Sequence, residues 1–122
     1  MPNDAKPSLL KNLPYAEPLE LAGLVQYQPR QVVSRTLAQN PALSITLFAF
    51  DQGEGISAHT VPADALVVVL DGQARVTIGE RTVSVSAGQA VAMPQGVPHA
   101  LDAEQRFKML LVVVRQPSGI QL

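Results

Sequence analysis

Apolar residues in this chain come in short bursts, and the bursts have the period of strands. QARVTIG (73–79) and TVSVS (82–86) alternate apolar and polar side chains, as strands with one buried face do. QVVSRTLAQ (31–39) and LSITLFAFD (43–51) are rich in β-branched and aromatic residues. DALVVVL (64–70) and FKMLLVVVR (107–115) hold apolar runs of strand length, which predicts buried strands. SAHTV (57–61), QAVAMP (89–94) and PHALDA (98–103) complete the series. Asn40-Pro41, Pro62, Ala87-Gly88 and Gln95-Gly96 mark turns between these segments. Asp71-Gly72 predicts a hairpin, because glycine tolerates the positive φ such a turn needs. Many short strands separated by Gly and Pro turns predict an all-β sandwich or barrel.

The pattern is different at the start. Residues 1–18 contain Pro2, Pro7, Pro14 and Pro18, and proline fixes φ and removes a backbone donor. This predicts an extended N-terminal arm over 1–18 ahead of a single barrel domain over 19–122. ELAGLVQY (20–27) has room for one short helical turn, weakened by Gly23.

Composition narrows the possible functions. Lys plus Arg number 9 and Asp plus Glu 10, a net charge of -1 with no basic block, so neither nucleic acid nor an anionic membrane is expected as a partner. The longest apolar runs are too short to span a bilayer, and the N-terminus lacks the apolar core of a signal peptide. Without cysteine there are no disulfides, thiolate nucleophiles or thiolate metal ligands, which fits a cytoplasmic protein.

The only two histidines, His59 and His99, stand in recognisable spacings. Gly53 precedes His59 by six positions, and Gly72 follows the apolar run. Gly88, Pro94, Gly96 and His99 reproduce the spacing G-x5-P-x-G-x2-H. In this order, on this strand pattern, they resemble the two motifs of the cupin superfamily, G-x5-H-x-H-x3-4-E-x6-G and G-x5-P-x-G-x2-H-x3-N. The resemblance covers roughly residues 43–115, and is to the small single-domain cupins of largely unassigned activity. It implies a double-stranded β-helix, a jelly-roll barrel with one open mouth.

In metal-binding cupins the two histidines and glutamate of the first motif and the histidine of the second are ligands. Carried over position by position, His59 and His99 keep the first and last places. Val61 stands at the second histidine, Ala65 or Leu66 at the glutamate, and Ala103 at the asparagine. Two neutral imidazoles leave a divalent charge uncompensated, and tight sites use three or four protein ligands. At most a weakly bound nickel, zinc, manganese or iron ion is expected. Strand alternation turns Asp64 away from the face that holds Ala65, and Glu54 falls in a turn.

These readings predict a small-molecule-binding barrel whose apolar cavity is lined by Val61, Ala65, Val67, Val69 and Met93 around the two histidines. Met93 and Met109 read as core filler, while Arg35, Thr36, Ser57, Thr77 and Lys108 have faces that a one-residue register error would exchange. One alternative is a metal-free isomerase or epimerase using His59 or His99 as acid and base. Another is a metal-dependent enzyme with a reduced ligand set. A homodimer is expected, because the arm and the strands at 31–39 and 43–51 supply edges that one small barrel must cover.

Overall fold

The computed structural model describes residues 8–117. A 3₁₀ turn, Leu21–Leu24, precedes eight strands: β1 Val32–Gln39, β2 Leu43–Phe50, β3 Gly55–His59, β4 Asp64–Ile78, β5 Arg81–Ser86, β6 Ala90–Met93, β7 His99–Asp102 and β8 Phe107–Val114. All their pairings are antiparallel. One sheet runs β1-β2-β8-β4-β6 and the other β3-β7-β4-β5, so β4 belongs to both. This is an all-β barrel of curled sheets, as the strand pattern predicts, and the jelly roll that the family resemblance implies. Among the described residues no helix is long and apolar enough to cross a membrane.

The expected hairpin at Asp71-Gly72 does not form. The ladder between β4 and β8 continues through it, with Asp71 opposite Lys108 and Gly72 opposite Phe107. Register shifts between Val69 and Asp71, and Gly72 takes φ +75°. The glycine thus bends one long strand from the first sheet into the second. A bulge adds one residue and so moves the inward positions from odd to even numbers. Ala65, Val67 and Val69 point inward before it, Ala74 and Val76 after it, and all five join one core. Phe50 and Phe107 stack across this interior with ring centroids 4.6 Å apart.

The N-terminal segment builds a second core on the outside of the first sheet. Leu13, Leu21, Leu24, Val25 and Tyr27 pack there against Leu47 and its neighbours. Polar residues of uncertain face in the sequence turn out to fasten this segment. Arg35 donates to the carbonyls of Asn12 and Leu24, and Lys108 Nζ donates to that of Ala22 at 2.7 Å. Thr77 instead faces outward on the second sheet, bonded across to Thr82.

At Gly72 any Cβ would collide with the Arg106 carbonyl and crowd Phe107. Gly72→Ala should therefore lower stability by about 2 kcal/mol or more, from the left-handed φ alone plus the collision. Denaturant unfolding checks this; an unchanged midpoint would mean that the bend does not depend on this glycine.

Candidate functional site

The edge strand β3 brings His59 to its place. Gly55 opens the way: a Cβ there would lie 2.5 Å from the Leu101 carbonyl, so only glycine lets β3 approach β7 this closely. Three pairs fix the register, Gly55 with Asp102, Ile56 with Leu101, and His59 with His99, with an irregularity before the last. On its other side β7 pairs with β4, where His99 meets Ile78. The two imidazoles meet edge to face, their centroids 4.5 Å apart. His59, on the edge, is exposed, whereas His99, one strand further in, retains only 5% of its surface.

The ring atoms have different surroundings. His59 Nδ1 lies 3.0 Å from the Ser57 carbonyl. A carbonyl only accepts, so Nδ1 donates to it, and in the neutral tautomer that this bond selects Nε2 is the acceptor. His99 Nδ1 is sealed from solvent and has no hydrogen-bond partner among the described residues. Leaving such a group unpaired costs about 1–3 kcal/mol. Burial pushes the His99 pKa below its ordinary value, the His59 ring beside it adds to this, and the Val97 backbone opposes both.

Both rings border a cavity of about 300 Å³. Val61, Ala65 and Met93 line it, as do Ile56, Leu101 and Leu111. Val67 and Val69 lie deeper, fully buried in the packed interior. Met109 is likewise buried core. Arg115 completes the polar lining, a residue that the sequence reading passed over. Its signal was present: 107, 109, 111 and 113 face inward on β8, and alternation carries 115 to the same side. A wider, more open depression of about 690 Å³ lies between β5 and β6, but it holds no imidazole. Of these two, only the smaller cavity is lined by the imidazoles.

The sequence profile of the cupin domain matches residues 46–114. The chain belongs to the cupin family. A conserved protein of unknown function from Streptococcus pyogenes is 42% identical and superposes with a TM-score of 0.90, over 93% of this chain and 100% of that one. A cupin superfamily protein from Desulfitobacterium hafniense is 34% identical, with a TM-score of 0.85 over 89% of this chain and 100% of the other. An uncharacterised protein of Streptomyces coelicolor is 32% identical over 77 residues, 63% of this chain and 73% of that protein.

Many cupins hold a metal, and this donor set does not fit one held tightly. Among the described residues no three His, Cys, Asp or Glu side chains form a group able to hold an ion. Val61 and Ala65, at the motif's second histidine and glutamate positions, both line this cavity but offer no ligand atom. The Asp64 carboxylate is engaged elsewhere, accepting the Gln95 N–H at 2.8 Å. Glu54 lines a separate depression with Asp102 and Glu104. The cavity's remaining polar residue, Arg115, is itself a cation.

The lowered His99 pKa sets a pH dependence. The folded state resists protonation of this ring, whereas the unfolded chain takes up a proton near its ordinary value of about 6.5. The stability that the neutral ring permits is thus complete above about 6.5, falls as pH drops through that value, and levels off below the folded pKa. An NMR titration of the ring protons should give His99 a pKa below about 6.5. A value at or above it would show a wet or carboxylate-paired ring.

Proposed function

We propose that this cupin binds a small, largely apolar organic molecule in the cavity beside His59 and His99. One observation carries the reading: the imidazole of His99 is buried beside an apolar cavity, and its Nδ1 has no hydrogen-bond partner among the described residues. Buried polar groups are normally paired, and an exception calls for a reason. A pocket of this size, apolar with a few convergent polar groups, has the features that bind and orient small ligands.

A second reading is favoured by His99's depressed pKa, which keeps it neutral near pH 7 beside the bare Nε2 of His59. Two such rings are able to exchange a proton with a bound molecule. This would make the protein an isomerase- or epimerase-type enzyme without a metal. Neither ring has a carboxylate to orient it among the described hydrogen bonds and ion pairs, so binding is the leading reading.

The reading extends to a homodimer. The N-terminal segment covers one part of the first sheet's outer face, and Leu66 and Val114 remain 40% and 55% exposed on the rest. A second copy of the chain would cover them.

Native mass spectrometry of the full chain tests both points together. The expected species has about twice the 13.0 kDa chain mass and retains an organic ligand without a stoichiometric metal. His99→Ala should weaken ligand retention about tenfold, or ~1.4 kcal/mol. A monomer at micromolar concentration would contradict the dimer, and one tightly held metal per chain with no organic ligand would contradict the binding reading.

A further inference from the structure

We propose that Arg115 is an anion anchor and that the molecule bound beside the histidines is a small monocarboxylate with an apolar body. This rests on reading the cavity as a ligand site.

Arg115 is half-buried at the wall of the cavity, immediately after the last strand. The ion pairs among the described residues are Arg75 with Glu104 and Arg106 with Asp51; Arg115 has none. Its hydrogen bonds among the described residues all go to neutral groups. Nη2 donates to Ser44 Oγ at 2.7 Å and Nη1 to the Asn40 carbonyl at 3.2 Å. Its backbone N–H donates to the Ala42 carbonyl at 2.7 Å. Asn40 is itself fixed, because its side-chain oxygen accepts the N–H groups of Ala42 and Leu43 at 2.8 and 3.0 Å. The guanidinium is therefore held in one orientation by groups that do not cancel its charge. The other guanidinium N–H groups make no hydrogen bond among the described residues.

A fixed cation at an apolar wall, with no ion-pair partner among the described residues, attracts an anion more strongly than it would in water. The planar guanidinium matches the two oxygens of a carboxylate. The charge count selects a monoanion: the cavity's other polar residues are His59 and His99, so a phosphate dianion would leave a charge unmatched. The lining between these groups, including Leu111, Val113 and Met93, suits an apolar body. A hydroxyl or carbonyl oxygen elsewhere on the molecule would meet the imidazoles.

An NMR titration of the full chain with butyrate, isovalerate, hexanoate and phenylacetate, each against its primary amide, tests this. At least one acid should shift the ring signals of His59 and His99 and the guanidinium signal of Arg115, and bind about tenfold or more tighter than its amide. Arg115→Gln should abolish that preference, and Arg115→Lys should keep part of it. The acid–amide comparison on the unaltered chain holds even if a variant folds poorly. If the amide binds the cavity as well as the acid, Arg115 serves only to hold the turn at Asn40; the anion proposal falls and the ligand site stands. If neither series moves the imidazole signals, both fall. Inorganic phosphate binding more tightly than every acid would overturn the monocarboxylate assignment.

Discussion

Strand β4 must serve two sheets at once, and the site depends on how it does so. Its first half pairs with β6 and β8, its second half with β5 and β7. A regular strand crossing between sheets would turn its apolar face outward halfway along. The bulge before Asp71 and the positive φ of Gly72 add the residue that prevents this. Ala74 and Val76 then enter the same core as Val67 and Val69. Burying each Val here is worth about 1.5–3 kcal/mol, so the phase change decides whether the barrel has one core. The second half of β4 also carries β7, and β7 carries β3, which places His99 and then His59.

The bend is fastened from outside as well. Tyr27 donates its hydroxyl to the carboxylate of Asp71, the residue beside the bulge. Burial, followed by this bond, raises the tyrosine's pKa well above its usual value. Arg106 and Lys108 lie over the Tyr27 ring, 4.5 and 5.0 Å from its centroid. The N-terminal segment is thus tied to the point where β4 changes sheets. The sequence predicts an extended arm over 1–18 and a short helical turn within 20–27, but not that contact.

Much of the barrel was legible in the sequence because alternation and turn residues act locally. The two strands around Asp71-Gly72 were legible as strands; their continuity was not. The same dipeptide suits a hairpin or a bulged bend, and which one forms depends on whether β8 extends the ladder past it. The histidine pair was legible through motif spacing, since that spacing reflects where β3 and β7 lie. The depth of the cavity was not: Val67 and Val69 share the inward face with Ala65, but side-chain volume further in closes the space around them. Arg115 was legible from alternation along β8. A charged residue at the end of an apolar strand reads equally well as a solvated terminus, and only the turn at Asn40 shows that it is held inward.

The central claim is that His59 and His99 border a cavity with no group of three ligating side chains among the described residues, because Val61 and Ala65 occupy two ligand positions. Calorimetric titration of nickel, zinc and manganese into the parent chain and the double variant Val61→His plus Ala65→Glu tests it most directly. The variant adds an imidazole and a carboxylate to the existing pair, completing a ligand count that suits a divalent ion. Overpacking at Ala65 should lower stability by about 1–3 kcal/mol, so the titration requires a folded variant. The account predicts weak or no binding by the parent and affinity at least about tenfold higher in the variant, a gain of ~1.4 kcal/mol. Equal affinities, or a parent that already binds one ion tightly, would contradict it.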